Sequence, residues 1–237
     1  MGGDLNSIGF AEARSALSWW LEAGVDVALQ EESRDWLAAT APAANTSVAA
    51  PAPNLVQPTQ DTLAELQQWL ATSVQLPLAG PAAKRVLPHG PEQAPVMLLS
   101  DSLTLEDGAA GKPIGGTAWD LTVRMLAAIG IDADEAYSAS LSCFHSPGAR
   151  MSPAEREACA EIARRHIALA QPKRLLLLGK EPCEALIGKP LTEARGHVHK
   201  VEGVRAVVSF HPRFLINHPS NKALAWKDLL LLTEDES

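Results

Sequence analysis

Four short apolar runs, each closed by a polar loop and followed by a helical pattern, constrain this chain more than any other feature. They are Pro95–Leu99 (PVMLL), Ala136–Cys143, Arg174–Leu178 (RLLLL) and Ala206–Phe210 (AVVSF). Runs such as PVMLL and RLLLL suit strands buried on both faces. Strands that alternate with helices build a parallel sheet with helices on both sides. The helical stretches announce themselves by their ends. Asp61 or Thr62 can cap a helix bearing Leu63, Leu66, Trp69 and Leu70. Thr117–Ile129 offers Trp119, Leu121, Met125 and Leu126 to a core. Ser152, Pro153 and Glu155 open a helix that runs to about Ala170. Glu181–Ile187 and Ala223–Leu232 supply two more. The expected fold class is α/β, a three-layer αβα sandwich with a central, mostly parallel four-stranded sheet.

Ahead of this unit the composition changes. Residues 38–60 (AATAPAANTSVAAPAPNLVQPTQ) are too poor in core-forming side chains to pack, and read as a linker. Residues 1–37 carry a helical pattern through Phe10, Ala13, Leu17, Trp20 and Leu21. Trp19, Trp20 and Trp36 are available there either to pack on the main domain or to anchor a partner protein. The expected organisation is a helical segment 1–37, a linker 38–60 and a domain 61–237. The net charge of −8 is uneven: residues 1–60 hold seven acids and two bases, whereas residues 61–232 hold 18 of each. That excludes an all-over basic nucleic-acid binder and leaves the central domain open to a nucleic-acid ligand. No apolar run reaches the ~18 residues of a membrane span, and the first residues lack the basic and apolar regions of a secretory signal. Three cysteines do not make a disulfide framework. A cytoplasmic location without a membrane partner is expected.

In such a sheet, ligands bind in the loops at the carboxyl ends of the strands. The first of these loops runs from Ser100-Asp101 to Gly111-Lys112-Pro113-Ile114-Gly115-Gly116. Lys112 there can meet an anion, but the spacing is not a phosphate-binding P-loop. The second, Ser142–Gly148, presents His145. The third, Ser209–Leu215, carries His211-Pro212 directly after an apolar strand. An imidazole placed there can donate to an anion forming on a leaving group. Arg213, His218, Lys222 and Lys227 either face phosphates or form a solvated surface, and Ser220 and Asn221 open the last helix. His197, His199 and Cys183 lack the carboxylates a metal site would need.

Taken in order, SVQLPL (73–78), SDSLT (100–104), GKPIGG (111–116), ASLSCFHSP (139–147), SPAEREAC (152–159), RLLLLG (174–179), HPRFLINHP (211–219) and AWKDL (225–229) resemble the uracil-DNA glycosylase superfamily. The resemblance covers residues 62–232 and is closest to the iron–sulfur family 4. It implies that Asp101 positions or activates water and that His211 stabilises the departing uracil anion. Ile114 stands where an aromatic ring would stack on the flipped base, and Ala139 where an asparagine would read its edge. With Ser100 and Ser140 they form the expected base pocket. Lys112, His145, Arg213, Asn221 and Lys222 are the expected DNA contacts. Family 4 holds its [4Fe–4S] cluster with four thiolates. Cys143 and Cys159 match two of them, while Ser73 and Leu76 stand at the others, so no cofactor is expected and an intact cluster is not. The implied activity is hydrolysis of the N-glycosidic bond of uracil or another damaged base. Single-stranded or mismatched DNA would be the favoured substrate, because extruding the base costs less there. A second resemblance is to the psi subunit of the bacterial clamp loader, a glycosylase-like fold without the chemistry. It rests on the N-terminal extension, SDSL (100–103) and NHPSNKALAW (217–226). It implies a catalytically degenerate adaptor that meets a replication or repair protein through residues 10–37.

Overall fold

A computed structural model describes residues 58–80, 82–101, 103–145 and 151–234. The expected helical segment 1–37 and nearly all of the linker lie outside the described residues. The first helix, α1 (Leu63–Thr72), begins with a reciprocal cap. The Thr62 hydroxyl accepts from the Glu65 N–H, and the Glu65 carboxylate accepts from the N–H groups of Asp61 and Thr62. A two-residue ribbon, β1 (Lys84–Arg85) with β4 (Phe144–His145), stands apart from the main sheet.

The main sheet has five strands: β2 (Met97–Ser100), β3 (Tyr137–Ser140), β5 (Arg174–Leu178), β6 (Val198–Val201) and β7 (Val204–Ser209), in the order β3-β2-β5-β7-β6. The four expected strands are the parallel ones; β6 adds an antiparallel edge. It was not expected because VHKV has only one fully buried position and so lacks an apolar signature. The turn to β7 is Glu202-Gly203, with φ of 49° and 80°, the double left-handed geometry of a two-residue hairpin.

Period-two alternation divides the core. Met97, Leu99, Leu175, Leu177, Ala206 and Val208 pack beneath α1, α4 (Pro153–Ala170) and α5 (Lys180–Ile187). Val96, Leu98, Leu176, Leu178 and Val207 pack on the other face beneath α3 (Gly116–Ala128) and α8 (Lys222–Thr233). With both faces covered, the strands read as continuous apolar runs. The long loop expected after β2 contains a helix, α2 (Leu105–Ala110), opened by a Thr104–Asp107 capping box. Strand β3 stops at Ser140, short of Cys143, because local hydrogen bonds replace the ladder. The Ser140 hydroxyl donates to the Ser142 carbonyl (2.7 Å), and the Phe144 N–H donates to the Ser142 hydroxyl (3.2 Å). Two short helices, α6 (Leu191–Ala194) and α7 (Pro212–Asn217), flank the β6–β7 hairpin in sequence.

Candidate active site at the carboxyl ends of the strands

The register places Ser100 beside Leu178 and Leu178 beside Ser209, so β2, β5 and β7 end level. Asp101, Gly179 and Phe210 come next, and His211 follows. Gly179 has a φ of 107°, and a Cβ there would lie 2.5 Å from Asp101 Oδ2. Only glycine lets the Asp101 carboxyl group lie against the end of β5. With neighbouring strands ~4.8 Å apart, β2 and β7 are separated by roughly 10 Å.

His211 is buried, at 5% exposure, and caps α7. Its Nδ1 accepts the Arg213 backbone N–H at 3.1 Å. The proton of the neutral ring therefore sits on Nε2, a buried atom with no hydrogen-bond partner among the described residues. Burial first, and then the Arg213 cation, push its pKa down to about 3, against the opposing pull of Asp107. His211 is thus a neutral, preorganised donor near neutral pH.

Its surroundings hold it there. The fully buried Asp107 carboxylate accepts from the Gly115 N–H (2.7 Å), the Thr104 N–H (2.7 Å), the Thr104 hydroxyl (2.7 Å) and the Arg213 guanidinium (2.6 Å). One carboxylate thereby ties α2, the start of α3 and α7 together. On the other side, Asp228 accepts from Ser209 (2.7 Å) and from Arg195 Nε and Nη2 (2.9 and 2.7 Å). Its pKa is raised, chiefly by burial, although these donors oppose the rise. The Arg195 guanidinium lies 3.9 Å from the centre of the Phe210 ring. Phe210 stacks on Phe214 (5.1 Å), which stacks on His218 (4.2 Å). This column beside His211 leaves Phe214 38% exposed.

The other expected site residues are distributed differently. Ile114 and Ala139 are both buried, but in clusters on opposite faces of the sheet. The structure therefore does not bring their side chains together around one base. The Ser100 hydroxyl donates to the Pro113 carbonyl at 3.1 Å, and the Ser140 hydroxyl is spent within its own turn. Arg213, expected on phosphate, is paired with Asp107. His145 donates from Nδ1 to the Leu103 carbonyl (2.9 Å) and so fastens the loop after β2. Lys112 is exposed, its ammonium 5.4 Å from the centre of the Trp119 ring. Lys222 is exposed at the start of α8, with Asn221 half-buried before it. Asp107 was missed by sequence reasoning; its signal was the spacing Thr104-x-x-Asp107, a helix start inside what was read as a loop.

The corner where family 4 binds its cluster does not suit one here. Leu76 belongs to an apolar group with Leu66, Leu70, Phe144 and Ile162, against which Cys143 packs. The Arg85 guanidinium donates to the carbonyls of Leu70 and Ser73 and lies 4.6 Å from the centre of the Phe144 ring. Burial pushes the thiols of Cys143 and Cys159 up to about 12, away from the thiolate a metal needs. No group of three or more metal-ligating side chains occurs among the described residues.

A neutral histidine and a carboxylate stand at the carboxyl ends of two parallel strands, β7 and β2, that flank β5, at the end of the sheet where α/β folds place their sites. Residues 87–230, more than half of the chain, match the Uracil DNA glycosylase superfamily, and the chain belongs to that superfamily. It is 23% identical over 141 residues to a type-4 uracil-DNA glycosylase of Archaeoglobus fulgidus, covering 55% of this chain and 71% of that protein. It is 22% identical over 180 residues to a type-4 uracil-DNA glycosylase of Pyrobaculum aerophilum, covering 71% and 92%. The branch is family-4-like.

Proposed function

We propose that this protein is a divergent DNA glycosylase that hydrolyses the N-glycosidic bond of uracil or another damaged base. The state of His211 carries the reading: a buried neutral imidazole whose Nε2–H has no partner among the described residues. Such a donor suits a leaving group that departs as an anion, since it stabilises charge without first having to lose a proton of its own. In the proposed reaction the C1′–N1 bond breaks and its electron pair leaves with the base. The Nε2–H of His211 holds that anion. Water adds to C1′ and passes a proton to Asp101, whose negative charge also steadies the sugar cation. The exposed His218 at the outer end of the Phe210–Phe214–His218 column offers a ring on which a base adjoining the extruded one can stack. Lys112, Asn221 and Lys222 are the proposed backbone contacts.

The test is cleavage of a labelled single-stranded oligonucleotide containing uracil, hypoxanthine or xanthine, with Asp101→Asn and His211→Ala as controls. Abasic product that both substitutions abolish is expected. No product from any of the three bases at stoichiometric protein overturns the reading.

The second reading is an adaptor without catalysis, favoured by the burial of Ile114 and Ala139 in separate clusters. It requires residues 10–37, within the N-terminal segment 1–37, to carry the partner contact. Deleting them should then abolish binding to one member of a panel of purified replication and repair proteins. An unchanged or empty binding profile counts against it.

A further inference from the structure

The helices α3 and α8 cover the same face of the sheet and leave a cavity of about 170 Å³ between them. Its two walls repeat one spacing. Leu121, Arg124, Met125 and Ala128 stand on α3 at i, i+3, i+4 and i+7, and Lys222, Ala225, Trp226 and Leu229 stand on α8 at the same intervals. Residues so spaced share one face of a helix. Leu215 of α7 completes the lining. Leu215, Ala225 and Leu229 are buried and make the floor, whereas Trp226 keeps 41% of its surface exposed and Leu230, one turn on, keeps 42%.

Apart from Arg124 and Lys222, every lining side chain is apolar. These two are exposed, one on each wall, as when a long side chain lays its stem on apolar surface and keeps its charge in water. Neither forms an ion pair among the described residues, and Arg124 Nε donates to the Asp120 carbonyl at 3.1 Å. The carboxylates of α3, α7 and α8 are Asp120, exposed one turn before Arg124, and Asp228, buried and held by Arg195 and Ser209. An apolar cavity of ~150 Å³ takes a benzene ring, so this one has room for a single large apolar side chain. Carboxylates on either side of that side chain meet a cation on each wall. A nucleobase fits less well, because the donors and acceptors of its edge find no uncharged polar side chain in the lining. Two copies joined by this face about a two-fold axis would set Arg124 and Lys222 against cations of their own kind.

We propose that this cavity docks a short acidic segment of a partner protein, seating one phenylalanine-sized side chain between α3 and α8 while neighbouring carboxylates pair with Arg124 and Lys222. Buried aromatic anchors of this kind carry most of the energy of an interface. The groove alone supports the docking, which needs neither glycosidic cleavage nor a contact through residues 10–37. Lys222 is shared with the proposed DNA contacts, so the charge test is made at Arg124.

The experiment titrates a fluorescein-labelled peptide, a single phenylalanine within a run of aspartates, with the full chain and follows fluorescence anisotropy at low salt. Saturable binding is expected, and it should weaken about tenfold when alanine replaces the phenylalanine. Ala128→Trp, at an exposed position, fills the cavity and should weaken the phenylalanine peptide about tenfold. Arg124→Glu, also exposed, should weaken it about threefold, and less as salt is raised. Circular dichroism and Tm check that both variants fold. A readout on the wild type does not depend on them: the Trp226 indole N–H resonance, assigned with Trp226→Phe, should shift with the phenylalanine peptide and stay in place with the alanine one. No binding by the wild type, equal affinity for the two peptides, or an unmoved Trp226 signal overturns the proposal. So does displacement of the peptide by an oligothymidylate that Ala128→Trp fails to bind, which makes the cavity a nucleobase pocket. A dimer in sedimentation velocity that Ala128→Trp dissociates also overturns it, and assigns the groove to a contact between copies.

Discussion

His211 is placed by a single backbone N–H, and that bond decides which nitrogen faces the site. His211→Ala should lower uracil excision by ~10²–10³-fold, the usual cost of removing one preorganised donor from a developing anion. A steady-state assay with circular dichroism on the same sample checks this; a variant that excises like the wild type would reassign the donor. The same ring governs acid stability. The folded pKa of about 3 lies below the ordinary 6.5, as does that of His166, lowered to about 4 by burial. Between these values the unfolded chain binds the protons, so stability is complete above about pH 6.5 and is lost as pH falls. At ~1.4 kcal/mol per pKa unit, His166 alone contributes on the order of 3 kcal/mol. Tm should therefore fall steadily from pH 7 to pH 4, and less so in His166→Gln. Gly179→Ala forces a Cβ against the Asp101 carboxylate and strains a positive φ, so it should lower excision more than it lowers Tm. The positions of Asp101 and His211 at the carboxyl ends of β2 and β7 were legible in the sequence, because each comes just after an apolar run. Asp107 was not, because a buried carboxylate and an exposed one read alike until their donors are known.

Among the elements, the corner between α1, the β1–β4 ribbon and α4 has the most to say about divergence. An apolar group and one arginine hold together what two further thiolates would hold in a cluster-bearing relative. Leu76 is 6% exposed within that group, so Leu76→Ala should cost ~2–4 kcal/mol in urea unfolding. Dialysis against a strong chelator should leave the unfolding curve where it was. A chelator-induced fall in Tm would show that a metal helps to hold this corner. The elements most visible in the sequence were those with a physical marker at each end. The helix α4 begins at Pro153 and ends at Ala170, because Ser152, Pro153 and Glu155 form its cap. The helix α2 and the strand β6 lacked such contrast. The first is six residues long, and the second sits at an edge where solvent accepts polar side chains.

For the whole molecule, the carboxyl end of the sheet carries a neutral donor and a carboxylate. With Arg213 paired to Asp107 at the proposed catalytic end, sequence-independent attraction to duplex DNA should be weakened there. Excision should then be faster on single-stranded or mismatched uracil than on fully paired uracil, where unpairing costs a few kcal/mol more. Rates on matched substrates check this, and equal rates would argue for a base-extruding element of its own. The three-layer architecture was readable from strand–helix alternation, whereas the separation of Ile114 from Ala139 was not, since it depends on which face each residue takes. The thiols have one more consequence. Cys143, Cys159 and Cys183 are all held far from ionisation, at about 12, 12 and 11. Peroxide and alkylating reagents attack the thiolate, so the cysteines of the folded protein should stay unmodified under iodoacetamide, read by mass spectrometry, and react once urea unfolds the chain.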